Sequence, residues 1–154
     1  PYFFTTECVN EIKVLAMENL RHVKAIPGAI DFIKKIPSDR YAIVTSGAKK
    51  ISMQSVVNAG LPVPDYMISA EDVTHGKPDP EPYLKAARML GVNPDECLVF
   101  EDAESGIRSA QSAGMQVIVI NHSCYSHVDN TLIQLPDYRN MTVTMGNKLI
   151  ELNW

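Results

Sequence analysis

The sequence predicts an α/β protein built on a parallel sheet, and three observations carry that expectation. Short β-prone apolar runs, Tyr41–Val44, Tyr66–Ser69, Cys97–Glu101 and Met115–Ile120, alternate along the chain with stretches of helical periodicity. The intervening segments are long enough for a helical crossover, which parallel strands need and hairpins do not. Composition is that of an ordinary folded domain, at 45% hydrophobic and 21% charged over 154 residues, enough for one real core.

Taken in order, residues 6–23 place Val9, Ile12, Leu15, Ala16, Leu20 and Val23 at helical spacing. Pro27-Gly28 breaks that pattern and opens a second short helix carrying Ala29, Ile30, Ile33 and Ile36, with Pro suited to the first helical turn. Pro37-Ser38-Asp39 is a turn ahead of the strand Tyr41–Val44. The next helix runs through Ile51, Val56 and Val57, with Gly60 placed as its C-cap. After the strand Tyr66–Ser69, His75-Gly76-Lys77-Pro78-Asp79-Pro80 can only be a loop; it feeds a helix from Glu81 to Leu90 that closes on Gly91. Cys97–Glu101 reads as a strand buried on both faces, followed by a helix through Ile107 and Ala110 to Gly114 and a strand at Met115–Ile120. Residues 122–140 read as surface loop and 146–152 as a last short helix.

Charge and cysteine content exclude several function classes. Lys and Arg number 14 against 18 Asp and Glu, a net charge of −4 that gives no basic footprint for nucleic acid. No apolar run reaches the ~20 residues of a membrane span. Cys8, Cys97 and Cys124 are odd in number and widely spaced, which speaks for a reducing, cytoplasmic setting and against a disulfide framework or zinc site. His22, His122 and His127 lack metal-ligand spacing, and His75 reads as an exposed loop residue without a partner.

In a right-handed βαβ topology the carboxyl ends of the strands share one edge, where open α/β sheets bind ligands. Thr45-Ser46-Gly47, the Lys77 loop, Glu101-Asp102 and Asn121 converge there. Thr45-Ser46-Gly47 ends a strand and begins a helix, which makes an anion site of hydroxyl and free amides, or else an ordinary N-cap. Lys77, fixed between Gly76 and Pro78, suits a point charge for a phosphoryl oxygen, or else is a solvated loop lysine. Glu101-Asp102 offers the hard oxygen ligands that Mg²⁺ takes, or else Asp102 caps the helix that follows.

The order and spacing of these pieces, Ile43-Val44-Thr45-Ser46-Gly47, then Gly76-Lys77-Pro78-Asp79-Pro80-Glu81-Pro82-Tyr83-Leu84, then Val99-Phe100-Glu101-Asp102-Ala103-Glu104-Ser105-Gly106, resemble the haloacid dehalogenase-like phosphohydrolases over roughly residues 25–121. Within that family the first two runs look most like the glycerol-3-phosphatase and 2-deoxyglucose-6-phosphatase group. The resemblance implies a three-layer Rossmann-like core with a parallel sheet. It also implies a Mg²⁺-dependent phosphomonoesterase acting on a small sugar or polyol phosphate through an aspartyl-phosphate. By the same resemblance Thr45 binds the phosphoryl oxygens with the amides of Ser46 and Gly47, Lys77 neutralises the intermediate, Asp102 ligates Mg²⁺, and Glu101 is a ligand or orients its waters. The physical logic agrees, since phosphoryl transfer needs in-line positioning and charge neutralisation.

The family's nucleophile motif, Asp-x-Asp-Gly-Thr on a first central strand, is not in this sequence. The aspartates are Asp31, Asp39, Asp65, Asp72, Asp79, Asp95, Asp102, Asp129 and Asp137, and no two lie two apart. The expectation is therefore a truncated, inactive form: residues 1–26 as the remnant of a helical cap, and 27–154 as a core lacking its first strand. The strands ending at Val44 and Glu101 then pair directly or leave a gap for another segment, and the chain is a monomer, or a dimer if an exposed sheet edge pairs. Two alternatives share these motifs: a non-catalytic phosphate- or partner-binding fragment, and a phosphomutase of the β-phosphoglucomutase type.

Overall fold

The computed structural model describes residues 14, 18, 20–120, 131–146 and 150–154. The helix expected over 6–23 and the cap remnant over 1–26 fall largely outside them. Val14 and Glu18 are helical, and Leu20–His22 form a 3₁₀ turn whose Leu20 carbonyl accepts from Asn58 Nδ2 at 3.0 Å.

From Pro27 onward the elements are α1 (Ala29–Ile33), β1 (Ala42–Val44), α2 (Lys49–Asn58), β2 (Tyr66–Ile68), α3 (Glu81–Leu90), β3 (Leu98–Glu101), α4 (Glu104–Ser112) and β4 (Gln116–Ile120). Then come β5 (Ile133–Leu135), β6 (Thr142–Met145) and β7 (Ile150–Asn153). The expected α/β alternation holds. β1 pairs parallel to β2 with Ile43 opposite Met67, and β3 pairs parallel to β4 with Val99 opposite Val117.

The core explains which faces these elements show. Side chains alternate along a strand, so Val99 and Phe100 of β3 point to opposite faces. Val99 lies in a buried cluster with Tyr83 and Ala87 of α3, Ile107 and Ala110 of α4, and Val117 and Val119 of β4. Phe100 meets Phe32 of α1 edge-on at 5.4 Å and Tyr138 at 5.5 Å on the other face. Helices therefore cover the sheet from both sides, giving the three layers expected. The strand with the longest buried run is β4, where Val117 to Ile120 are all buried after an exposed Gln116, because it lies between β3 and β5. β3, expected to be buried on both faces, alternates between buried and half-buried instead, as a strand with one neighbour does.

Two expectations near the carboxyl terminus are corrected. Part of the expected surface loop is β5, parallel to β4 with Ile118 opposite Ile133, followed by Asp137 and Met141, which are buried. Tyr138 N donates to Pro27 O at 3.0 Å, and this contact needs Gly28: a Cβ there would stand 2.5 Å from the Arg139 nitrogen, and its φ is +81°. Residues 150–152 of the expected last helix belong instead to β7 (Ile150–Asn153), antiparallel to β6 with Val143 opposite Leu152. The alternation Ile150-Glu151-Leu152-Asn153 is a period-two pattern that a hairpin partner rewards and a lone helix does not.

Among the described residues β1 and β3 do not pair; the sheet is divided into β1–β2 and β3–β4–β5. What joins the two facing strand ends is a side chain: Lys77 Nζ donates to Val44 O at the end of β1 and to Glu101 Oε1 at the end of β3.

Candidate active site

A cleft of about 250 Å³ opens at the carboxyl ends of β1 and β2, lined by Thr45, Ser46, Ala70, Val73, Thr74, Gly76, Lys77 and Pro82. Thr45 stands one residue past β1, and its amide donates to Ile68 O at 2.9 Å, which ties the turn to the β2 end. Gly47 N donates to Thr45 Oγ1 at 3.0 Å, so the Gly47 amide closes the turn, while the Thr45 hydroxyl proton remains for a ligand oxygen. The helix does not begin at Ser46-Gly47 as expected. It begins at Lys49, and Glu71 Oε2 takes the Lys49 amide at 2.8 Å. The anion the helix terminus favours is thus supplied by the chain itself, leaving Thr45 and Ser46 as the cleft's polar wall.

The opposite wall is braced from outside. Glu81 at the start of α3 accepts from the amides of Thr74 and His75, both at 2.8 Å, and these hydrogen bonds hold its carboxyl below the ordinary range. His75 is exposed but not without a partner: its Nδ1 lies 3.1 Å from Glu81 Oε2. His75, Asp79 and Glu81 lie close enough to hold a cation, yet both Glu81 oxygens are already engaged by backbone donors. This cluster braces the Lys77 loop, in which the Lys77–Pro78 peptide is cis.

At the base of the site Lys77 and Glu101 form a buried ion pair, with side chains 9% and 8% exposed. Tyr83, for which the sequence alone shows no task, donates its hydroxyl to Glu101 Oε1 at 2.5 Å. Burial, then the charge of Glu101, push the Tyr83 phenol far above its ordinary value. Glu101 Oε2 accepts from the amides of Asp102 and Ala103 at 3.2 and 3.3 Å. Gly106 closes behind it, since a Cβ there would run into the carboxylate. A signal for both residues was present in the pattern: an aromatic residue one turn into α3, and a glycine one turn past the acid pair.

The geometry therefore divides the two acids. Glu101, expected as a metal ligand or water orienter, has both oxygens occupied and instead pairs Lys77 and closes the turn into α4. Asp102 does not cap α4, whose N-cap is Ala103 without a side-chain bond. Its exposed carboxylate makes no hydrogen bond among the described residues. Behind the acids, Tyr138 has its phenol pushed up to about 12 by burial and by the charges of Asp102 and Glu101. For Mg²⁺, which is held by one or two carboxylates with phosphate and water completing the shell, Asp102 fits and Glu101 does not. Thr45, Ser46 and Lys77 share the cleft, Glu101 is joined to it through Lys77, and Asp102 follows directly on Glu101 at the end of β3. Asn121, His122 and His127 lie outside the described residues.

Residues 4–120 match the family described as haloacid dehalogenase-like hydrolase. Hexitol phosphatase A of Escherichia coli is 42% identical over 101 residues, which are 64% of this chain and 47% of that protein. Glycerol-1-phosphate phosphohydrolase 2 of Saccharomyces cerevisiae is 33% identical over 131 residues, 78% of this chain and 52% of that protein. The chain thus spans about half the length of these relatives. Among solved structures, a hydrolase from Pseudomonas syringae superposes with a TM-score of 0.72 at 25% identity, covering 89% of this chain and 68% of that one.

Proposed function

Because the chain belongs to the haloacid dehalogenase-like hydrolases, we propose that it carries the phosphate-binding and charge-neutralising half of a Mg²⁺-dependent phosphomonoesterase for a small sugar or polyol phosphate. The observation that carries this reading is the cleft that Thr45, Ser46 and Lys77 line together, with Asp102, whose carboxylate is unpaired among the described residues, following directly on Glu101, the ion-pair partner of Lys77. Thr45 donates to a phosphoryl oxygen, Lys77 balances its negative charge, and the Ala70, Val73 and Pro82 wall receives the carbon skeleton. Asp102 would hold Mg²⁺, which when bound would add neutralising charge at the phosphoryl group. The names of relatives such as hexitol phosphatase A and the glycerol-1-phosphate phosphohydrolase support hydrolysis over phosphomutation.

Hydrolysis through an aspartyl-phosphate needs a carboxylate nucleophile, and no two aspartates of the chain lie two apart. The 154 residues are accordingly proposed to bind the ester without turning it over. The test is calorimetric titration with glycerol 1-phosphate and a hexitol phosphate, with and without Mg²⁺, beside an assay for released phosphate. Binding that Mg²⁺ tightens, without release, is the expected outcome. Sustained release by this chain overturns the inactive reading, and absence of binding overturns the site. No helix among the described residues is long and apolar enough to cross a membrane.

A further inference from the structure

Lys77 has three N–H donors, and the structure accounts for two of them, on Val44 O and Glu101 Oε1. The third has no partner in these hydrogen bonds, and Lys77 is one of the residues that line the cleft. Whether the ammonium serves a ligand there depends on how strongly Glu101 holds it back. Glu101 Oε1 is a shared acceptor: Tyr83 donates to the same oxygen at 2.5 Å, and the Tyr83 ring centroid lies 4.9 Å from Lys77 Nζ. Tyr83 is 5% exposed, Glu101 is fixed on its other oxygen by two amides, and Gly106 backs it. The carboxylate cannot follow Lys77 toward the cleft, and the ammonium is held between ring, carbonyl and carboxylate.

We propose that Tyr83 is a positioning residue for Lys77: by donating its hydroxyl to Glu101 Oε1 it takes up part of that carboxylate's charge, and so leaves the Lys77 ammonium able to reach an anion at Thr45 and Ser46. The inference rests on the phosphate-binding reading of the cleft. A hydrogen bond to an ionised carboxylate is among the strong ones, and its loss shifts the freed charge onto the remaining donor, Lys77. A Tyr that merely filled the core would act on stability and leave ligand binding untouched.

The experiment is a double-mutant cycle read by the affinity of the whole chain for inorganic phosphate, with Tyr83→Phe, Glu101→Gln and the two together. Tyr83→Phe keeps the ring and is expected to weaken phosphate binding about three- to tenfold, part of what a charge-assisted hydrogen bond carries. In the Glu101→Gln background the same change is expected to have no further effect, because there is no carboxylate charge left to divide. Equal weakening in both backgrounds, or no weakening in either, overturns the proposal. Should Glu101→Gln fail to fold, tyrosine ring-labelled wild-type protein gives the second measurement: the Tyr83 resonance is expected to move along the phosphate titration, and an unmoved resonance overturns the proposal. Lys77→Ala separates the two readings. Phosphate binding that Lys77→Ala leaves unchanged overturns the site and the inference together, whereas Lys77-dependent binding without Tyr83–Glu101 coupling overturns the inference alone.

Discussion

Replacing Lys77 by Met keeps most of the side-chain stem and removes the ammonium that joins β1 to β3. The partner left behind is a carboxylate only 8% exposed. Removing one member of a buried ion pair costs about 3–5 kcal/mol, because the other charge stays buried without compensation. Glu101 keeps the Tyr83 hydroxyl and two amides, so the low end applies, about 3 kcal/mol. For a chain of this size that is a fall in Tm of roughly 6–12 °C. Thermal unfolding followed by circular dichroism measures it. The same melt of Lys77→Met combined with Glu101→Gln is expected to recover much of the loss, since the orphaned charge is then gone. A Tm within about 2 °C of wild type for the single variant would refute the pair as the link between the two sheets.

Gly106→Ala places a methyl group against the Glu101 carboxylate and is expected to cost about 1–3 kcal/mol by urea denaturation, with weaker phosphate binding as Lys77 shifts with its partner. Asp102→Asn alters an exposed carboxylate without a hydrogen bond among the described residues. Its stability is expected to stay within about 0.5 kcal/mol while Mg²⁺ no longer tightens phosphate binding in calorimetry. Asp72 is held below its ordinary value first by the Ser69 hydroxyl, and Glu81 first by the Thr74 amide. Depressed carboxylates stabilise the fold above their unfolded value, and that stabilisation is lost as pH falls through the folded one. The urea midpoint is therefore expected to drop as pH falls through and below the ordinary carboxylate range, about 4, and to drop less in Ser69→Ala.

Elements that answer to local pattern were legible in the sequence. α3 shows its apolar face at Tyr83, Ala86 and Ala87 and ends at Gly91, while the β1, β3 and β4 runs are bounded by turn residues. β5 and β7 were not legible, because Ile133–Leu135 is too short to show a period and Ile150–Asn153 is recognisable only beside its partner β6. The candidate site was legible in membership and less so in wiring. Thr45, Ser46 and Lys77 share a cleft as the strand ends imply. That Glu71 fills the α2 terminus, or that Glu81 braces the cleft wall, depends on contacts across 22 and 7 residues that no local pattern displays.

The division of labour between Glu101 and Asp102 follows from the pleat and from side-chain length. Glu101 is the last residue of β3 and shares a face with Val99, the face on which Tyr83 lies, so it is directed into the core side where only a paired charge survives. Asp102 follows outside the strand and emerges into solvent. The length of Glu lets one carboxylate span two sets of donors, Lys77 and Tyr83 on Oε1 and the amides of Asp102 and Ala103 on Oε2. Glu101→Asp shortens the side chain by one methylene, about 1.5 Å. That exceeds what the hydrogen bonds on either oxygen can absorb, so the variant keeps one set and abandons the other. The expected cost is about 1–3 kcal/mol, the penalty of leaving buried donors unsatisfied. Phosphate affinity identifies which set is lost: release of Lys77 is expected to raise it, while loss of the two amides leaves it near wild type with a loosened α4 start. A variant matching wild type in both Tm and phosphate affinity would show that carboxylate reach is not what fixes glutamate at this position.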